Sequence, residues 1–276
     1  MPVALILSSF VAASRIGGGA QQYVLAAHRI DPVLAPTVLF GRSPALGSAA
    51  DVTEPEALRR MLADIEADAT FGEVDLVITG HFSLPEQVDI AADLLDRVRA
   101  SAGRAPIVLV DPIMGDAPEG LYVKPEVAEA LADRLVPRAD WITPNRWELE
   151  RLAGGPIADA RAAADACRRL GRRAVVTSVP AREDEIGLLY CDDEQAVLFA
   201  HPKLTHAPNG SGDLVTASFG AGLVEGLTPL AAAERAARVA AEMVLAAEAW
   251  NSTALPIVAL ADRIVSPRAA VRIEKV

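Results

Sequence analysis

Residues 209–213 read Asn-Gly-Ser-Gly-Asp and lead directly into Leu214-Val215-Thr216-Ala217, a stretch of helical character. Glycines at a helix mouth let the backbone turn tightly and present successive N–H groups outward. The start of the helix adds unpaired donors and a partial positive charge. The amides of Gly210, Ser211 and Gly212 therefore suit the charge that builds on a migrating phosphoryl group. Asp213 belongs to the same pocket and is placed to take a proton from an attacking hydroxyl. Taken alone, the five residues are explained as well by a plain capped turn in which Asp213 stabilises the helix start.

Two further clusters carry chemistry of the same kind. Asp111-Pro112-Ile113-Met114-Gly115-Asp116 sets two carboxylates behind an apolar run, Ile107 to Val110. Carboxylates with retained water are the ligands Mg²⁺ prefers, whereas the bland reading is a strand-terminating turn. In Thr143-Pro144-Asn145-Arg146-Trp147-Glu148, the glutamate stands one turn into a helix, within reach of a metal-bound water or simply as a helix-start acid.

The elements that must hold these clusters alternate. Strands are expected at Val3 to Ser8, Thr37 to Phe40, Val74 to Thr79, Ile107 to Val110, Trp141 to Thr143 and Ala174 to Thr177, with a hairpin from Ile186 to Ala200. Between them lie segments of helical period, such as Leu58, Met61, Leu62 and Ile65 behind Thr53-Glu54-Pro55-Glu56, and Val88, Ala91, Leu95 and Val98 behind Ser83-Leu84-Pro85-Glu86. Both tetrads have capping-box spacing. One long helix is expected to open at Gly212 or Asp213, and another to run from Thr228 to about Glu248. Apolar strands separated by single helices predict an α/β fold with a mainly parallel central sheet flanked by helices on both faces. No linker, repeat or low-complexity tract divides the chain, so residues 1–276 read as one domain. Ligands in such sheets bind at the carboxyl ends of strands. Ser8-Ser9, Thr79-Gly80-His81, Asp111 to Asp116, Thr143 to Glu148 and Thr177-Ser178 all fall there.

The composition narrows the class. The chain is 51% hydrophobic and 23% charged, which excludes a disordered polypeptide. Its 37 acidic against 26 basic residues, a formal charge of −11, argue against nucleic-acid binding by phosphate neutralisation. The apolar opening, Met1 to Phe10, has no basic lead and reads as a buried strand. The alanine-rich stretch from Leu230 to Trp250 is interrupted by Glu234, Arg235, Arg238, Glu242 and Glu248 and reads as a packed helix, so no membrane partner is expected. Cys167 and Cys191 form no disulfide framework, and a reducing, cytoplasmic setting is the expectation.

The order of the motifs, Asp-Pro-Ile-Met-Gly-Asp, Thr-Pro-Asn-x-x-Glu, Thr177-Ser178 and Gly-Ser-Gly-Asp, resembles that of the ribokinase-like small-molecule kinases, and within them the chain is most similar to the pyridoxal kinases. Ser8-Ser9-Phe10-Val11, Thr37 to Phe40, Asp111 to Val123 and the tail Leu255 to Ala259 extend the likeness over nearly the whole chain. The resemblance implies a three-layer ribokinase-like fold, usually a homodimer. It implies transfer of the γ-phosphoryl of ATP, with Mg²⁺, to the 5′-hydroxymethyl of pyridoxal, with a monovalent cation as an open further requirement. Carried over by position, Asp213 is the base, the amides of Gly210, Ser211 and Gly212 form the anion hole, and Ser9 contacts the pyridine ring. Asp111, Thr143, Glu148 and Thr177 belong to the nucleotide and metal region. Asp116 is a second metal candidate, and the loop from His206 to Asn209 passes along the nucleotide.

Two positions depart from that pattern. Pro44 stands where the family commonly has a substrate-contacting threonine, so one contact is lost or falls to Ser43; His81 stands where a tyrosine is frequent and can stack or hydrogen-bond in its place. Hydroxymethylpyrimidine kinases share the fold but usually carry cysteine where Asp213 stands. Sugar kinases of the superfamily typically carry extra lid strands. A nicotinamide dehydrogenase is disfavoured because no G-x-G-x-x-G follows the first strand, and a P-loop kinase because no G-x-x-x-x-G-K-[ST] occurs. A catalytically inactive vitamer-binding relative has only Pro44 in its favour.

Overall fold

The computed structural model describes residues 1–276 apart from 69, 102 and 205–207. Its centre is β1 (Val3–Val11), whose successive side chains enter opposite layers. Val3, Leu5 and Leu7 join one core cluster, Ala4 and Ile6 the other. Burial on both faces explains why its first five residues, Val3 to Leu7, are an unbroken apolar run rather than an alternating one. On one side β1 pairs in parallel with β2 (Asp31–Phe40), which pairs antiparallel with β3 (Ala50–Val52). On the other side the parallel order continues through β4 (Val74–Thr79), β5 (Ile107–Val110), β8 (Trp141–Ile142) and β9 (Ala174–Pro180). Three antiparallel strands, β10 (Glu185–Cys191), β11 (Ala196–Pro202) and β12 (Arg272–Lys275), complete a ten-stranded sheet. A small hairpin of β6 (Gly115–Asp116) and β7 (Gly120–Leu121) follows β5.

Helices cover both faces. α2 (Pro55–Ala67), α3 (Pro85–Ser101), α4 (Pro125–Ala130), α5 (Arg146–Ala153) and α6 (Ala160–Leu170) contribute to the first core cluster. α1 (Gly18–Ala27), α7 (Ser211–Val224), α8 (Pro229–Ala249) and α9 (Ala261–Val265) contribute to the second. Among the described residues no helix is long and apolar enough to cross a membrane. The expected α/β architecture with a mainly parallel sheet is therefore present.

Several local expectations are corrected. β2 begins at Asp31, not Thr37; Pro32 and Pro36 interrupt its pattern but are tolerated because β3 covers only Val38 to Phe40, leaving an open edge beside them. Thr53 does not cap α2: its hydroxyl donates to the Pro36 carbonyl (2.7 Å), and Glu54 takes the capping position. Ser83 forms no box with Glu86 either. The Gln87 side chain accepts from the amides of Ser83 and Leu84 and donates to the Thr37 and Thr53 carbonyls. The helix expected to open at Gly212 or Asp213 starts at Ser211. The two cysteines are free and buried, and the Cys191 thiol donates to the Ala164 carbonyl (3.9 Å).

Candidate active site

The carboxyl ends of the parallel strands face the first turn of α7. Gly210 precedes that turn in a left-handed conformation (φ 98°), which glycine adopts without steric cost. A Cβ there would stand 2.9 Å from Ile16 Cγ2 and 3.1 Å from the Arg15 carbonyl. Residues 15 and 16 thus form a wall behind the helix mouth. No side chain among the described residues caps α7, so its first amides remain available to a ligand.

Asp213 lies at the bottom of this mouth, 9% exposed. Its Oδ2 accepts a hydrogen bond from the Gly17 amide (2.8 Å), while Oδ1 is buried with no partner among the described residues. Burial pushes the carboxyl up from 3.8 to about 6, and the Gly17 bond partly opposes it. Gly17 has φ 61°, and a Cβ on it would come within 2.3 Å of Ser9 Oγ. Gly17 therefore packs against Ser9 on β1 and donates to Asp213 on α7, bringing both expected site residues to one glycine. Ser9 is buried at an irregularity in the β1–β2 register, a device that re-aims side chains near sites.

His81 follows β4. Its amide donates to Ser8 Oγ (3.4 Å) and its ring Nε2 faces Ser83 Oγ (3.4 Å). Burial lowers its pKa to about 4, so the ring is neutral at ordinary pH. Ser43 is half-exposed in the connection between β2 and β3, and no hydrogen bond among the described residues links it to Ser9, His81 or Asp213.

The other carboxylates are buried beside this mouth. Asp111 Oδ2 accepts from Thr216 Oγ1 (3.0 Å), and Thr216 Oγ1 in turn meets Thr143 Oγ1 (2.8 Å). Burial raises the Asp111 carboxyl well above the usual range, and the charges of Glu148 and Asp213 raise it further. Glu148 closes a capping box with Asn145: the Glu148 amide donates to Asn145 Oδ1 (2.9 Å), and the Asn145 amide to Glu148 Oε2 (2.8 Å). Its Oε1 accepts from the Met114 amide (2.9 Å). Burial nonetheless pushes it up to about 8. Asp116, half-buried on β6, is tied to the Ala117 amide (2.8 Å). The expected metal residues Asp111, Asp116 and Glu148 are therefore not a preformed cage: among the described residues no three His, Cys, Asp or Glu side chains gather to hold an ion. Yet no Lys or Arg among those residues pairs with Asp111, Glu148 or Asp213. Uncompensated buried carboxylates of this kind fit Mg²⁺, which binds through one or two carboxylates, water and substrate phosphates.

A cleft of about 710 Å³, counting its open mouth, runs from this point along β9–β11 and α7. Thr177, Leu188, Lys203, Ser211 and Val215 are among its lining residues, and Ser178 holds a positive φ (59°) at its edge. Asn209 is exposed beside Gly210, and His206 lies outside the described residues. Sequence reading missed Gly17, Thr216 and Lys203. Thr216 stands one turn beyond Asp213 on the same helix face, a spacing that could have flagged it.

A family model described as phosphomethylpyrimidine kinase matches residues 23–257. A pyridoxal kinase of Leifsonia xyli is 33% identical over 78% of each chain. A pyridoxine/pyridoxal/pyridoxamine kinase of Bordetella avium is 32% identical over 84% of this chain and 81% of that protein. The chain belongs to the pyridoxal kinase family. The pyridoxal kinase of Leishmania donovani, solved in complex with ADP and pyridoxamine, superposes with a TM-score of 0.91 over all of both chains at 21% identity. The pyridoxal kinase fold thus accounts for the whole described chain, including β3 and β12, which sequence reading did not anticipate.

Proposed function

We propose that this protein transfers the γ-phosphoryl group of ATP to the 5′-hydroxymethyl group of pyridoxal or a related B6 vitamer. The observation that carries this reading is Asp213 Oδ1: a buried carboxylate oxygen that, among the described residues, has no partner and lies beside an uncapped mouth of α7. With its pKa at about 6, Asp213 is mostly ionised at neutral pH yet basic enough to receive a proton as the alcohol attacks. The Gly17 amide holds Oδ2, leaving Oδ1 for the substrate hydroxyl. The amides of Gly210, Ser211 and Gly212 receive the negative charge of the moving phosphoryl, and the cleft past Thr177 and Lys203 takes the nucleoside.

Asp111 and Glu148 are the residues that would hold Mg²⁺, with Asp116 at the rim; bound there, the ion would neutralise charge on the nucleotide phosphates. Thr216 and Thr143 orient the Asp111 carboxylate. Ser9 and the neutral His81 ring face the vitamer, and Pro44 removes a side-chain donor, leaving Ser43 for that edge. We take the enzyme to be a cytoplasmic homodimer with one catalytic domain over residues 1–276, as its family resemblance implies. Hydroxymethylpyrimidine is the second substrate reading, favoured by the description of the matched family model and opposed by Asp213 in place of cysteine.

The test is ADP release with Mg²⁺ and ATP over a panel of pyridoxal, pyridoxine, pyridoxamine, hydroxymethylpyrimidine and ribose. A vitamer should give the highest kcat/KM; turnover with hydroxymethylpyrimidine alone would replace this reading with the second one.

A further inference from the structure

Helices α1 and α7 lie against each other and are tied at both ends. At the site end the tie is the Gly17 amide on Asp213 Oδ2. At the far end it is polar and partly buried: the His28 side chain is enclosed, while that of Glu225 is about a third exposed. His28, which caps the C-terminus of α1, contacts Glu225 Oε1 through Nδ1 (2.7 Å), and Glu225 caps the C-terminus of α7. A carboxylate has no hydrogen to give, so Nδ1 is the donor. Arg235 of α8 donates to the other oxygen, Oε2 (2.5 Å). The two ties stand roughly 17 Å apart along the helices, at 1.5 Å per residue.

This far tie is an expensive way to join helices. The His28 side chain is fully buried, and His28 Nε2, Arg235 Nε and Arg235 Nη2 have no partner among the described residues. Apolar side chains would pack the same space without stranding donors. What apolar contacts do not supply is axial register, the best-attested use of buried polar groups. Here register has a consequence at the other end. Gly17 is held against Ser9, so sliding α1 along α7 lengthens the 2.8 Å bond from the Gly17 amide to Asp213, and a slide of about 2 Å across that bond takes it to the limit of hydrogen-bond range.

We propose that His28, Glu225 and Arg235 are positioning residues that lock the register of α1 against α7, keeping the Gly17 amide on Asp213 Oδ2 and Oδ1 turned to the substrate. None of the three touches substrate. The groups facing Asp213 are the Gly17 amide from α1 and the Asp111 carboxylate after β5, with Glu148 of α5 acting on Asp111. Loosening the lock removes the one contact that favours the ionised form.

The kinetic arm of the test rests on Asp213 being the base; the spectroscopic arm does not. In ¹⁵N-glycine-labelled protein, the Gly17 amide should be shifted downfield by its bond to Asp213. Glu225→Ala should move that resonance upfield, as expected for an N–H losing its carboxylate acceptor. It should lower kcat for the vitamer several-fold with the KM for ATP unchanged. His28→Gln in otherwise wild-type protein, which keeps an N–H donor for Glu225, should stay close to wild type in both. If Glu225→Ala fails to fold because it strands Arg235, Glu225→Ala/Arg235→Met removes that cation as well. Variants that melt earlier but keep the wild-type Gly17 resonance and kcat would reduce the trio to ordinary stabilisation and overturn the proposal. Wild-type protein inactive on every vitamer would refute the proposed function and leave the spectroscopic arm to decide the lock.

Discussion

Asparagine at position 213 separates what the carboxylate does for chemistry from what it does to the fold. Asp213 is buried, and its pKa rises from 3.8 to about 6 because desolvation outweighs the Gly17 bond. An acid whose pKa is raised on folding binds its proton more tightly in the native state. Its stability contribution is thus highest below the unfolded pKa and declines as pH rises through the folded one. At about 1.36 kcal/mol per pH unit, a rise of about two units makes the ionised form on the order of 3 kcal/mol less stable than the protonated one. Asparagine has nearly the same shape, can accept from Gly17, and never ionises. Asp213→Asn should therefore melt higher than wild type at about pH 8, by roughly 5 °C for a chain of this size, with the gap closing towards about pH 4. Turnover should fall ~10²–10⁴-fold with ATP affinity nearly unchanged. In the wild type, kcat/KM should drop about tenfold per pH unit below about 6. Thermal melts across that range, paired with steady-state kinetics, test all three. A variant that melts no higher than wild type at any pH, or one that retains near-full turnover, would refute the reasoning.

Four further outcomes are expected. Gly210→Ala should cost about 1–2 kcal/mol from its left-handed conformation, and the collision with Ile16 should lower kcat more than vitamer binding, as read by melting and kinetics. Thr216→Val leaves Asp111 Oδ2 and the Thr143 hydroxyl without their shared partner; urea titration should show a loss of about 1–3 kcal/mol. His81→Ala should raise the KM for pyridoxal and leave that for ATP alone, whereas an unchanged value would remove His81 from the vitamer site. Chelation should abolish activity and Mg²⁺ restore it; turnover persisting without divalent metal would contradict the roles given to Asp111 and Glu148.

How far the sequence discloses this molecule depends on how local each cause is. β1, β4 and β5 are legible because burial on both faces demands apolar runs: Val3 to Leu7, Leu76 to Ile78 and Ile107 to Val110. β3 and β12 are short, carry charged residues and sit at sheet edges, where little is buried and no pattern is imposed. The Thr53 and Asn145 tetrads show the limit of a motif. Both have helix-start chemistry, but only Asn145–Glu148 closes a box, because the Thr53 hydroxyl is drawn to the neighbouring Pro36 carbonyl. At the site, the glycine mouth and Asp213 are contiguous and could be read directly. The Gly17 amide that holds Asp213 lies 196 residues away, and the His28–Glu225 tie 197, distances that only the folded chain closes.

The most direct measurement is a crystal structure with a non-hydrolysable ATP analogue, Mg²⁺ and pyridoxal. The terminal phosphate should rest on the amides of residues 210–212, with the vitamer's hydroxymethyl oxygen within about 2.6–3.2 Å of Asp213 Oδ1. Phosphates bound at the amino ends of the strands, or an Oδ1 facing away from the vitamer, would contradict the account.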